Sequence, residues 1–213
     1  MTVTVLLADD HTVVRDGLRA LLESHGDVQV VGVASDGREA VQMTMESSPS
    51  IVLMDIAMPG LNGIEATRQI RESCPDSQVV ILSMYATSEY VYRALQAGAL
   101  GYLLKESAGS EVVQAIQVVS VGKMYISRKI KNTMGKGFIT KKSSPLDRLS
   151  KREHEVLQLT VEGKTSNQIA QTLSLSSKSV DTYRSRIMAK LEIHDMPGLV
   201  KFAIKHGLTP LES

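Results

Sequence analysis

The chain has no tryptophan, two phenylalanines and a single cysteine among its 213 residues. Its cores must therefore be built from Val, Ile, Leu, Ala and the ten methionines, which read as core filler. One cysteine excludes an intramolecular disulfide framework and is too few for a cysteine metal site. Cys74, just before Pro75, reads as an inert loop thiol with no flanking base to activate it. No apolar run approaches the roughly 20 residues that a bilayer-crossing helix needs. The opening MTVTVLLADDH lacks a basic region and meets acid within ten residues, which is not the pattern of a secretory signal. The expected compartment is the cytoplasm, with no membrane partner.

Apolar residues make up 43% and charged residues 22%, the proportions of an ordinary soluble protein. The length suits two domains, each with its own core. The net charge of +1 conceals an asymmetry. Residues 1–121 hold 7 Lys/Arg against 15 Asp/Glu, whereas residues 122–213 hold 17 against 8. An acidic half joined to a basic one suggests two jobs, the basic half being the candidate for polyanions.

Two periodicities alternate in the first half. Short apolar runs at Val3–Ala8, Val28–Ala34, Ile51–Met54, Val79–Leu82 and Gly101–Leu104 predict strands. Segments with helical spacing lie between them, such as Val14, Leu18, Leu21 and Leu22, or Ile64, Thr67, Ile70 and Arg71. Asp36 and Glu39 have the spacing of a capping box. Five strand–helix repeats with nearly continuous apolar strands predict a doubly wound α/β domain with a parallel sheet of order 2-1-3-4-5. This first domain is read as residues 1–121.

The composition changes at residues 122–148, read as a basic linker. Ser127–Met134 is expected as a short helix and Lys136–Ser144 as a mobile stretch. Residues 149–213 read as a small all-α domain of four helices. Ser150 with Glu153, Thr165 with Gln168, and Ser176 open the first three helices, and Gly163 closes the first. Close spacing of the second and third fits a helix-turn-helix.

In a parallel sheet, function sits at the carboxyl ends of the strands where the strand order reverses. Asp9 and Asp10 follow the first predicted strand, Asp55 ends the third, Ser83 the fourth and Lys105 the fifth. Three crowded carboxylates call for a cation. An oxygen-only site with few protein ligands suits Mg²⁺, which pairs with phosphate. Lysine then offers a compact positive charge and serine a hydroxyl donor, the parts an in-line phosphoryl transfer needs. His11 reads as the start of a helix rather than as a ligand.

The segments LLADDH, IVLMDIAMPGLNG, VVILSMYA and GALGYLLKE resemble the receiver domain of two-component response regulators over essentially residues 1–121. The resemblance implies the flavodoxin-like form of the doubly wound fold, Asp55 as phosphoacceptor, and Asp10, Asp9, Asp55 and the carbonyl of Ala57 around Mg²⁺. It implies that Ser83 and Lys105 contact the phosphoryl group, and that Tyr102 is the aromatic switch that moves inward when the hydroxyl is drawn to phosphate. Pro59, Gly60 and Gly63 match the family's loop after the acceptor. Ala57 also stands where an aspartate phosphohydrolase has its general acid, so a phosphoryl group should persist rather than turn over as in an enzyme.

LSKREHEVLQLTVEGKTSNQIAQTLSLSSKSVDTYRSRIMAKLEI resembles the helix-turn-helix of LuxR-type regulators. Its third helix carries a polar face of Lys178, Ser179, Asp181, Thr182, Arg184, Ser185, Arg186 and Lys190, suited to a major groove. Asp181, Thr182 and Ser185 are assigned by position to base edges, and Ser177, Tyr183, Arg186 and Lys190 to the backbone. Asp181 departs from a frequent lysine and Tyr183 from a frequent histidine, which bears on the operator sequence.

Together the two halves resemble the NarL/FixJ subclass. The resemblance implies a sensor histidine kinase and promoter DNA as partners, RNA polymerase as a further contact, and a homodimer when active. Leu199 and Val200, on the last helix, are taken as an exposed dimer contact. A ligand-gated sensor is the competing reading; it needs an aromatic-lined pocket, and the first half has tyrosines but no Phe or Trp.

Overall fold

The computed structural model describes residues 2–134, 144–206 and 208. It divides into two compact units, Met1–Thr140 and Lys141–Ser213.

The first unit alternates strand and helix: β1 Val3–Ala8, α1 Thr12–Glu23, β2 Val28–Ala34, α2 Gly37–Ser47, β3 Ile51–Asp55, α3 Gly63–Ser73, β4 Gln78–Ser83, α4 Ser88–Gln96, β5 Gly101–Leu104 and α5 Ala108–Ser120. Then come β6 Tyr125–Ile126 and α6 Arg128–Met134. All pairings are parallel, in the order β2-β1-β3-β4-β5-β6. Alternation along β1 explains the two layers. Val5 and Leu7 pack with Leu18 and Leu22 of α1 and with Val112 and Ile116 of α5. Leu6 and Ala8 face the other way, toward Ala40 of α2, Ile64 and Ile70 of α3, and Val91 and Ala94 of α4. β3 is buried on both faces along its whole length, as a central parallel strand must be.

The sheet has six strands, not the expected five. The sixth lies inside the segment read as linker, and a two-residue run is too short to announce itself by alternation. Packing makes it worthwhile: Tyr125 joins the α1/α5 core, while Ile126 and Ile130 join the opposite one. The expected helix over Ser127–Met134 is α6, and it belongs to the first unit. Of the expected linker Lys136–Ser144, all but Ser144 lies outside the described residues.

The second unit is helical: a 3-10 turn at Pro145–Arg148, then α7 Lys151–Val161, α8 Ser166–Leu173, α9 Ser177–Leu191 and α10 Met196–Lys205. Ser150/Glu153 and Thr165/Gln168 form reciprocal capping boxes, and Ser176 accepts from the Ser179 N–H. At Asp36 the device is shifted. Its carboxylate caps Arg38 and Glu39, but the Glu39 carboxylate takes the N–H of Ser35 at 2.7 Å. Gly163, at φ +79°, ends α7 in the left-handed conformation that glycine adopts without penalty. Val156, Leu157, Ile169, Leu173, Val180 and Ile187 form the core, each contributing about 1.5–3 kcal/mol by leaving water. Leu199 is part of that core, 1% exposed. It cannot be the exposed contact expected of it, because α10 turns this residue inward against α7. Among the described residues no helix is long and apolar enough to cross a membrane.

Candidate functional sites

Because the strands run parallel, their carboxyl ends meet at one rim. The register sets Ala8 beside Met54, Asp55 beside Leu82 and Ser83 beside Leu104, so the residues that end or follow these strands become neighbours. Lys105 Nζ bridges the two buried carboxylates, 2.7 Å from Asp9 Oδ2 and 2.9 Å from Asp55 Oδ2. Burial pushes the Asp55 carboxyl above the usual carboxylate range; the Lys105 charge opposes this and Asp9 adds to it. Burial also works against the ammonium of Lys105, but Asp55 and Asp9 outweigh it and raise its pKa. One lysine thus faces two buried acids, with Asp10 at their edge.

His11 stands at the N-cap position of α1, as expected, without a side-chain cap bond, and its ring Nδ1 lies 2.7 Å from Asp10 Oδ1 and 3.2 Å from Asp9 Oδ1. One ligand atom from each of Asp9, Asp10, His11 and Asp55 falls within 4.8 Å of the others. Ala57, whose carbonyl the resemblance gives to the metal, bonds to Asp55 through its N–H.

The loop after Asp55 is tightly made. Leu61 N–H donates to the Pro59 carbonyl at 2.8 Å and Gly63 N–H to the Ile56 carbonyl at 3.0 Å. A Cβ on Gly63 would stand 1.8 Å from the Asp55 carbonyl oxygen, so only glycine fits where α3 begins. Across the rim, Ser83 Oγ accepts from the Tyr85 N–H at 3.1 Å, and the Tyr102 hydroxyl donates to the Tyr85 carbonyl at 2.7 Å. Tyr102 is fully buried, and burial holds its phenol pKa far above the ordinary value. The Tyr85 ring stacks on Tyr90, centroids 4.5 Å apart.

In the second unit α8 and α9 are joined by Ser174–Ser176, with Ser174 left-handed at φ 54°. On α9, Lys178, Asp181, Thr182, Ser185, Arg186 and Lys190 are exposed and Tyr183 is half-buried. Not all of this polar face is at leisure. Arg184 reaches back to Thr160 Oγ1 at 3.1 Å, Ser166 Oγ at 2.8 Å and the Lys164 carbonyl at 2.9 Å. It is a clamp between helices, a role that sequence position did not reveal. Asp181 Oδ1 accepts from Ser166 Oγ at 2.8 Å, and Lys190 pairs with the buried Glu153 at 2.7 Å. Thr182 and Ser185 hydroxyls donate to carbonyls one turn back.

A model of the response regulator receiver domain matches residues 5–117, and one of the bacterial regulatory proteins of the luxR family matches residues 147–203. The response regulator UvrY of Escherichia coli K12 is 40% identical over 213 residues, spanning 99% of this chain and 98% of the relative. The chain belongs to the NarL/FixJ response regulators. Another full-length relative of this response regulator is the transcriptional regulatory protein LiaR of Bacillus subtilis, 39% identical over 211 residues, covering 97% of this chain and 99% of the relative. Among solved structures, a complex of the response regulator RcsB with DNA matches at 25% identity and a TM-score of 0.60, over 97% of this chain and 99% of that one. This response regulator therefore pairs a receiver with a LuxR-type DNA-binding domain, and it is a transcription factor rather than an enzyme.

Proposed function

We propose that Asp55 takes a phosphoryl group from a sensor histidine kinase, and that this controls dimerisation and promoter binding by the helix-turn-helix. In the transfer, a carboxylate oxygen of Asp55 forms a bond to phosphorus as the phosphorus–nitrogen bond of the donor phosphohistidine breaks. The imidazole nitrogen leaves with the electron pair and recovers a proton. Lys105 and the Ser83 hydroxyl take the phosphoryl oxygens, Lys105 turning from its present carboxylate partners. What carries this reading is the Lys105 ammonium within 2.9 Å of both Asp9 and Asp55 at a shared rim.

The same residues fit Mg²⁺. Three carboxylates against one lysine leave a negative balance, and their oxygens lie close enough to share a hard cation. Asp9, Asp10, Asp55 and the Ala57 carbonyl would hold it, and when bound it would offset charge as the donor phosphate approaches.

The first domain, read as residues 1–121 and extended by β6 and α6, which pack in its sheet and cores, would act as the switch, and residues 149–213 as the DNA reader. On α9, Asp181, Thr182 and Ser185 would meet base edges, and Ser177, Tyr183, Arg186 and Lys190 the backbone, with the exposed Lys178 on the same DNA-facing surface. A two-fold dimer on paired half-sites, contact with RNA polymerase, and action in the cytoplasm complete the proposal. Incubation of the full chain with acetyl phosphate and Mg²⁺ tests it. A lasting one-phosphate mass gain, lost in Asp55→Asn, and tighter binding to DNA selected from a random pool are expected. Equal DNA binding in both states would remove the switch.

A further inference from the structure

The segment least legible in the sequence, β6 with α6, is attached to the switch residues by a continuous hydrogen-bond chain. Ser83 Oγ accepts from the Tyr85 N–H. The Tyr85 carbonyl accepts from the Tyr102 hydroxyl. The Tyr102 carbonyl, in turn, accepts from the Ser127 N–H at 2.9 Å, and the Ser127 carbonyl accepts from Lys131 N–H at 3.1 Å as the first turn of α6. One end of this relay is the hydroxyl expected to meet phosphate; the other is the start of the last described helix before the second unit.

Two further observations bear on the same joint. Ile126 and Ile130 are buried in the cluster that contains Tyr102, so side-chain packing and main-chain bonding tie α6 to one residue. The Ser127 hydroxyl is fully buried and has no hydrogen-bond partner among the described residues. A buried donor left unmatched weakens the joint in the present arrangement, which lowers the cost of leaving it. A second, exposed link joins the same elements: Lys129 Nζ lies 2.6 Å from Glu106, the residue after Lys105.

We propose that β6 and α6 are the output arm of the receiver, and that occupancy of Asp55 is felt at the N-terminus of α6 through Ser83, Tyr85, Tyr102 and Ser127. This rests on Asp55 being the phosphoacceptor. Drawing Ser83 toward a phosphoryl oxygen pulls the Tyr85 backbone and re-aims the Tyr102 hydroxyl. The shift of Tyr102 is then passed on through its own carbonyl. The Lys129–Glu106 pair is exposed, and exposed ion pairs contribute little, so it follows the movement and does not transmit it.

The test is hydrogen exchange of the full chain with and without acetyl phosphate and Mg²⁺, at a loading read from the one-phosphate mass gain. Absence of any gain defeats the phosphoacceptor reading itself and is recognised before exchange is measured. With loading verified, amides of residues 127–131 should change their exchange rate by about threefold or more, the response of a locally opening unit. Tyr102→Phe, compared at equal loading, should lose that response because the link to Tyr85 is gone, whereas Lys129→Ala should keep it. A loaded wild type with unchanged exchange at 127–131, or a full response in Tyr102→Phe, overturns the proposal. So does loss of the response in Lys129→Ala alone.

Discussion

Lys190 Nζ lies 2.7 Å from Glu153 Oε2, joining the last turn of α9 to the first turn of α7. Burial pushes the Glu153 carboxyl up, but the Lys190 ammonium and the Ser150 donors outweigh it, and the net shift is downward. A carboxyl whose pKa is lowered on folding stabilises the fold above its unfolded pKa, and that contribution fades as pH falls through the folded one. Exchange protection of α7 and α9 amides in the full chain should therefore decline as pH drops below the ordinary carboxylate range, after correction for intrinsic rates. Glu153→Gln keeps the cap and removes the charge, so its profile should be flatter. Parallel profiles for wild type and variant would show that the pair contributes nothing.

Arg184 and Arg186 lie two residues apart on α9, yet they should respond oppositely to truncation. Arg184 makes three bonds to α7, α8 and their connection. Arg184→Ala should cost about 2 kcal/mol of stability, as loss of charged hydrogen bonds commonly does. Arg186 is exposed. Arg186→Ala should leave the melting temperature alone and lower the salt dependence of DNA binding by about one phosphate contact. Calorimetry paired with binding at several salt concentrations separates the two. A stability loss in Arg186→Ala matching that of Arg184→Ala would erase the distinction.

The strands and the rim were legible because a parallel sheet repeats one signal. Runs such as Ile51–Met54 are buried on both faces, and the residues that follow them must converge. Caps were legible for a similar reason, since Ser150/Glu153 and Thr165/Gln168 act within four residues. What depended on distant partners was not. Tyr125 and Ile126 form a strand only because β5 lies beside them with Leu100 and Tyr102 carbonyls to fill. Leu199 lies on a helix half exposed and half buried, and the sequence does not say which way it turns. Arg184 carries the same charge as its neighbour Arg186, but only folding brings Thr160 and Ser166 within its reach.

Asp55→Asn should make the receiver more stable while disabling it. The Asp55 pKa is raised on folding, mostly by burial, so its ionised form is disfavoured in the folded state. That cost is present above the folded pKa and vanishes as pH falls below the unfolded one. The variant's melting temperature should exceed that of wild type at neutral pH, by roughly 4 °C for each kcal/mol relieved, with the gap narrowing in acid. Millimolar Mg²⁺ should narrow it too, since a cation bound by the native carboxylates stabilises wild type more. A variant that melts lower at neutral pH without metal would contradict the crowding described for this rim.

Gly63→Ala addresses the geometry that sets Asp55 in place. The added methyl would stand 1.8 Å from the Asp55 carbonyl oxygen and 2.9 Å from Met54 Cγ. The first of these is backbone, which cannot rotate away, so α3 must shift from the end of β3. Overpacking of this kind costs about 1–3 kcal/mol, occasionally more. The strain falls on the residue expected to carry phosphate, so the loss should appear twice, in a lowered melting temperature and in slower uptake from acetyl phosphate. Gly60→Ala makes the contrast. Its φ is +73° but nothing lies within 4 Å of a new Cβ, so it should cost the left-handed penalty, about 1–2 kcal/mol, with less effect on uptake. Equal slowing of uptake by both substitutions would mean that general loosening of the loop, not the close approach at Gly63, governs the acceptor.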